Sequence, residues 1–158
     1  MHLSCAPHEK DSMITPPRRI GSAILIGIDG ALLLQQRDDI PGILQPGKIG
    51  LFGGHCENGE TNLQCAVREI AEETSYPVAA DRFELLARYD GADMEIDRDG
   101  RLDCEVFVLR DIPAGKLVIT EGTLLAVHPE RIASLEDRLT PLARFALAAF
   151  EKRLLSSD

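Results

Sequence analysis

"GGHCENGETNLQCAVREIAEETSYP", residues 53–77, opens on two glycines, closes on a proline and carries Glu60, Glu69, Glu72 and Glu73 within fourteen positions. Thr61 followed three residues later by Gln64 is a capping-box pair and predicts a helix start. Leu63, Ala66, Val67, Ile70 and Thr74 then recur at helical spacing as one stripe. Pro77 forces the helix to stop soon after Ser75 and Tyr76. At about 100° per residue, Glu69, Glu72 and Glu73 project from one side of this helix, away from the stripe. Each like-charge pair at i+3 or i+4 costs a few tenths of a kcal/mol. The last turn disfavours negative charge by a further ~0.3–1 kcal/mol, and Arg68 offsets only part of this. Two readings stay open: a solvated charged face, or a site for cations. A Gly53-Gly54 turn would let the backbone approach a ligand and present a carbonyl. Hard divalent ions such as Mg²⁺ seek carboxylate and carbonyl oxygens, with phosphate oxygens completing the shell.

Upstream, "IGSAILIGI" (20–28) and "ALLLQQR" (31–37) are strand-length apolar runs around Asp29-Gly30, a hairpin signal. "DDIPGILQPGK" (38–48) is a Pro/Gly-punctuated loop, and "IGLF" (49–52) is a short strand ending in the Gly53-Gly54 turn. Downstream, "RFELLARYD" (82–90), "LDCEVFVLRD" (102–111) and "KLVITEGTLLAV" (116–127) are strand candidates, the last broken around Glu121-Gly122. "HPERIASLE" (128–136) reads as a short helix, and Thr140-Pro141 starts a closing helix through about Leu155. Residues 1–17 are polar, end in Pro16-Pro17 and read as a flexible tail; residues 18–158 read as one domain. The order of elements predicts an α/β (α+β) fold, a mixed sheet with helices packed against it.

The length of 158 residues suits a single domain able to bury roughly two-thirds of its unfolded surface. A formal charge of −9 argues against a nucleic-acid polymer as partner, because phosphate-backbone binders need clustered Lys and Arg. It leaves nucleotides open, since a cation can bridge an acidic protein and a phosphorylated ligand. Cys5, Cys56, Cys65 and Cys104 form no C-x-x-C pair, so neither a zinc site nor a disulfide framework is indicated. A reducing cytoplasm fits that usage. No apolar h-region and no run of membrane-spanning length occurs, so a signal peptide and a membrane partner are not expected.

From Gly54 the chain runs five residues to Glu60, seven residues to Arg68, and then "REIAEETSY". This resembles the Nudix box, G-x5-E-x7-R-E-U-x-E-E-x-G-U with U a bulky aliphatic residue, and it matches at every charged position: Glu60, Arg68, Glu69, Glu72 and Glu73. Ser75 stands where the box has glycine and Tyr76 where it has an aliphatic residue. A left-handed cap at Ser75 would cost about 1–2 kcal/mol. The strand pattern from about Ile20 to the closing helix is also similar to the Nudix fold, so the resemblance spans most of the chain.

The resemblance implies a hydrolase that uses Mg²⁺ or Mn²⁺ to cleave the pyrophosphate linkage of a nucleoside diphosphate joined to another group. It makes Glu72 and Glu73 the main metal ligands, with Glu69 beside them and the Gly53 carbonyl contributing. Glu60 and Arg68 would stand behind the ligands, Arg68 holding glutamates in place by charge-assisted hydrogen bonds. Glu121, in "ITEGT", is a further ligand or the general base, or else a plain turn residue; the base is Glu69 or Glu121. Arg37, after the second strand, and His55, after the glycine pair, are candidates for a substrate phosphate, with exposed strand-end and loop residues as the plainer readings. Cys65 falls on the acidic side by angle but is small enough to be packed, and no chemical role is argued for Cys5, Cys56 or Cys104.

Base stacking would have to come from Phe52, Phe83, Tyr89 or Phe107, since there is no Trp. Gly91 stands near where ADP-ribose-cleaving members typically carry proline, Tyr89 comes too early for the dinucleoside polyphosphate pattern, and a coenzyme A signature is absent. Nucleoside triphosphates and nucleotide sugars remain. The rival reading is a noncatalytic Nudix-fold module that binds or senses a nucleotide; such modules usually lose box carboxylates, and here all are kept. Many relatives are homodimers, but no stretch of this sequence identifies an interface.

Overall fold

The structure, a computed structural model, describes residues 16–96 and 99–156. The tail expected over residues 1–17 therefore lies, apart from Pro16 and Pro17, outside the described residues. Strands β1 (Arg18–Gly27) and β2 (Leu32–Gln36) form the hairpin announced by Asp29-Gly30. The Gly27 N–H donates to Ala31 O at 2.8 Å, and the Ala31 N–H donates to Asp29 Oδ1 at 3.1 Å. The two strands pair at Leu25 opposite Leu33 and Ile26 opposite Leu32, and then splay apart.

The wedge between them decides the site. Strand β3 (Ile49–Gly50) pairs with the end of β2, and strand β4 (Phe52–His55) pairs with the start of β1. The expected 49–52 strand is thus split at Leu51, and the expected Gly53-Gly54 turn is in fact strand, with Gly53 opposite Ser22 and Gly54 opposite Gly21. Where β2 leaves, β1 has an open edge of unpaired backbone groups; satisfying them outweighs the turn tendency of glycine.

On its other edge β1 runs parallel to β6 (Arg101–Ile112), which is antiparallel to β5 (Glu84–Ala92). Strand β7 (Thr123–Val127) pairs with the free edge of β2. The result is a seven-stranded mixed sheet among the described residues. Alternation along the strands sorts the core into two halves. Ala23, Leu25, Leu33, Phe107 and Leu109 face helix α1 (Asn62–Thr74), while Ile20, Ile24, Leu32, Leu34, Val106 and Val108 face helix α2 (Pro141–Ser156). This is the predicted α+β class, with helices on both faces.

Helix α1 begins with both halves of the Thr61/Gln64 capping box formed. It ends at Thr74 with Ser75 in the left-handed region at φ 57°, the conformation that the box glycine would favour. Residues 116–122 do not form the expected strand. Their backbone is used elsewhere: the Val118 N–H donates to Thr74 O at 2.9 Å and the Thr120 N–H donates to Glu73 O at 3.0 Å, which satisfies carbonyls that the helix end leaves free. The expected helix at 128–136 is a 3-10 stretch, Pro129–Arg138. At Thr140, Oγ1 accepts from the Ala143 N–H as an N-cap, and the Thr140 N–H donates to Ile49 O at 2.8 Å, which pins the start of α2 to β3.

Candidate active site

The splay of β1 and β2, the β3–β4 wedge and the start of α2 enclose a cavity of about 310 Å³. Its walls bring together Gly53, His55, Glu69, Glu73, Glu121 and Arg37, six residues singled out from the sequence. The glycine pair explains how a helix on one face reaches a cavity bordered by Ile20 and Ser22 of the other. A Cβ on Gly54 would collide with the Glu69 carboxyl, and one on Gly53 would collide with Gly21 and Ser22 of β1. Bare backbone here lets the acidic face of α1 open onto the cavity.

Arg68 organises the carboxylates. Its Nε and Nη2 donate to the two oxygens of Glu60 at 2.8 and 2.9 Å, and its Nη1 donates to Glu69 at 2.8 Å and Glu72 at 3.2 Å. Nη2 also donates to the main-chain oxygen of His55 at 3.0 Å, tying the helix to β4. The Arg68 bond is the main reason that the Glu60 carboxyl is held well below its ordinary range, at about 2. The like-charge cost foreseen on this face is therefore largely offset by one forked cation.

Glu73 is different. It is buried, with Oε2 accepting from the Gly53 N–H at 3.1 Å. Burial, and then the charges of Glu69 and Glu121, push its carboxyl up to about 8. Glu121 is carried into the cavity by the 118–120 segment that caps α1, and its main-chain oxygen accepts from Gln35 Nε2 at 2.9 Å. Gly122, at φ 68° and packed on Gln36 O, allows the chain to turn from there into β7.

Glu72 does not line the cavity; its side chain is 60% exposed beside Arg68. His55 is no free loop residue: its Nε2 lies 2.9 Å from Arg18 Nη1, and burial followed by the Arg18 charge holds it below its ordinary 6.5. Its ring is neutral at pH 7, which makes it a poor phosphate cation. Arg37 donates from Nε to Leu44 O at 2.8 Å while lining the cavity. Phe52, Phe83 and Phe107 are core and Tyr89 packs edge-to-face on Phe145, so none is available for base stacking in this cavity. Cys65 is fully buried, as its size suggested.

Arg18, Ser22, Gln45, Glu95 and Thr140 also line the cavity and were not foreseen. They come from four separate segments, and no spacing rule links them. Only the charged pair Arg18-Arg19 ahead of an apolar strand was there to be noticed.

The donor set suits a hard divalent cation: carboxylate and main-chain oxygens converge on the cavity, and burial together with the Glu69 and Glu121 charges raises the Glu73 carboxyl despite Arg37. Among the described residues no three Asp, Glu, His or Cys side chains are drawn together as a finished metal site.

Residues 16–155 match the NUDIX domain, and the chain belongs to that family as a Nudix hydrolase. The fold is similar to that of the MutT protein from Methanosarcina mazei Go1, which is 20% identical with a TM-score of 0.70 over 87% of this chain and 95% of that one. A MutT NUDIX hydrolase from Burkholderia pseudomallei is 25% identical, with a TM-score of 0.62 over 84% of this chain and 97% of that one. The NUDIX domain of Shewanella oneidensis NrtR, solved with ADP ribose, is 19% identical with a TM-score of 0.67, covering 87% of this chain and 88% of that one. No curated protein matches the chain. No helix among the described residues is long and apolar enough to cross a membrane.

Proposed function

We propose that the protein is a divalent-metal-dependent hydrolase of the pyrophosphate linkage in a nucleoside diphosphate derivative, with nucleoside triphosphates and nucleotide sugars as the open substrate classes. The observation that carries this is the buried Glu73 carboxyl facing Glu69 and Glu121 inside the cavity, an arrangement that is unfavourable without a cation. Glu73, Glu69 and Glu121 would hold Mg²⁺ or Mn²⁺ there, joined by Glu72 and the Gly53 carbonyl as the box resemblance implies. When bound, the cation supplies phosphate charge neutralisation and water activation. Arg37 offers a guanidinium to the substrate phosphates. Arg68 and Glu60 keep the acidic face aligned.

Of the two candidates for general base, Glu69 is tied to Arg68 at 2.8 Å, whereas the Glu121 carboxyl accepts no hydrogen bond among the described residues. We assign the proton-accepting role to Glu121. Glu121→Gln is expected to lower kcat by about 10²-fold or more and to flatten the acid limb of the pH profile. An unchanged limb, with Mg²⁺ affinity lost instead, would make Glu121 a ligand only.

The decisive assay is release of phosphate, pyrophosphate or nucleoside monophosphate from a substrate panel with Mg²⁺ or Mn²⁺. Turnover is expected, and Glu72→Gln should reduce it at least about 10²-fold while the protein stays folded. Tight nucleotide binding without turnover of any substrate would favour the noncatalytic sensor. A cytoplasmic location and a homodimeric state belong to the same reading, carried by cysteine usage and by family habit respectively.

A further inference from the structure

The cavity is lined by a further carboxyl, Glu95, that the proposed cation site does not use. Glu95 lies in the connection between β5 and β6, where its backbone N–H and that of Ile96 both donate to Asp93 Oδ1, at 3.0 and 3.2 Å. Asp93 is in turn buried and clamped by Arg18, through Nε at 2.8 Å and Nη2 at 3.0 Å. These bonds fix Glu95 in place. Its main-chain oxygen accepts from Gln45 Nε2 at 3.3 Å, which ties the 38–47 loop across the same opening.

The Glu95 side chain is only 13% exposed, and its nearest cation is Arg18 Nη2 at 3.9 Å. Among the described residues its carboxyl accepts no hydrogen bond, although it lines the cavity. A half-enclosed carboxyl that opens on the cavity with no protein donor is free to accept from a ligand. Partial burial is the main reason that its pKa is raised, with Arg18 acting against it.

Glu95 is distinct from the Glu73 end. The charges that act on it are Arg18, Asp93 and Arg37; those that act on Glu73 are Glu69, Glu121 and Arg37. The Arg37 charge acts on both carboxyls. Leu44, Leu51, Leu142 and Ile20 give the same cavity an apolar wall. An apolar wall together with a carboxyl outside the proposed cation site suits a flat heterocycle that presents N–H donors on one edge.

We propose that Glu95 is a specificity-determining residue that selects a substrate base presenting two adjacent N–H donors, of which guanine is the common example, over bases presenting one or none. Two parallel bonds to a carboxylate match such an edge, whereas a carbonyl oxygen beside a single N–H would leave one carboxylate oxygen facing an acceptor. The proposal rests on the reading of the cavity as a nucleotide site, but its test does not require turnover.

The test is calorimetric binding of GMP and IMP, which differ only in the 2-amino donor, to the wild-type protein and to Glu95→Gln. Wild type is expected to bind GMP about tenfold tighter or better, because a site built for a donor rejects the analogue lacking it. Glu95→Gln, whose amide offers one acceptor and one donor, should bring that ratio to within about threefold. Equal affinity in the wild type overturns the proposal with no variant needed, and so does a ratio that survives Glu95→Gln or an absence of binding by either nucleotide. Equal affinities combined with weaker binding of the 2′-deoxy nucleotide would place the sugar, not the base, on Glu95. Failure to hydrolyse any substrate, with the GMP preference intact, would remove the hydrolase reading and leave this assignment standing.

Discussion

Two neighbouring glutamates on one helix meet opposite fates. Glu72 is exposed and paired with Arg68, whereas Glu73 is buried and raised to about 8. The consequence is a linkage with a definite sign. A folded-state value above the ordinary 4.5 means that folding takes up a proton, so metal-free stability falls as pH rises between those two values. Up to roughly 4–5 kcal/mol is involved, and relaxation of the site will reduce it. A divalent cation competes with that proton. Added Mg²⁺ is therefore expected to raise the melting temperature more at about pH 8.5 than at about pH 6. An equal shift at both pH values would contradict a cation bound at Glu73. None of this asymmetry was visible in the motif, because adjacent helical positions differ by only about 100° and burial depends on what packs over them.

At the scale of the element, helix α1 shows how sequence departures are absorbed. Its N-terminus follows the local rule, with Thr61 and Gln64 bonded reciprocally. Its C-terminus keeps the left-handed cap with serine in place of glycine, at φ 57°. Against a conformational cost of about 1–2 kcal/mol, the serine gains one hydrogen bond, from Oγ to Val118 O at 2.9 Å. That bond contributes about 0.5–1.5 kcal/mol net. Ser75→Gly is thus expected to stabilise the protein by about 0.5 kcal/mol, read from the urea midpoint, while loosening the segment that leads to Glu121. A clear loss of stability would show that the hydroxyl bond outweighs the backbone cost. The same segment explains why "KLVIT" is not a strand: the Lys116 and Leu117 N–H groups donate to Pro113 O and Ala114 O in a local turn, and those of Val118 and Thr120 donate to α1 carbonyls instead of a ladder. Apolar alternation reports what side chains favour and is silent on where the backbone bonds go.

In the whole molecule, the site exists because two strands of one hairpin part and a third segment, running from 49 to 55, changes partner between them. Arg18, at the start of β1, ties this opening together by reaching Asp93 beyond β5 and His55 at the end of β4. The Arg18 bond holds Asp93 down at about 2, against an ordinary 3.8. A depressed carboxyl gives stability that is complete above the ordinary value and lost as pH falls through the folded one, so this tie fails only in strong acid. Asp93→Asn leaves Arg18 without its counter-charge in a mostly buried position. It is expected to cost about 2–4 kcal/mol at neutral pH, measured by denaturant unfolding. A change below about 0.5 kcal/mol would show that Arg18 finds another partner, Glu95 being the nearest.

The sequence by itself determined the hairpin at Asp29-Gly30, helix α1 with its capping box, the N-cap at Thr140, the mixed α+β class and the acidic residues of the box. Each is set by neighbours a few positions apart, so the physics is local. The tertiary structure alone decided that Gly53-Gly54 is strand, that Glu73 and not Glu72 turns inward, and that Arg18, Gln45 and Glu95 meet the box residues in one cavity. Those outcomes depend on which backbone edges remain unpaired and which carboxyls lose their water. Both are properties of segments far apart in the chain.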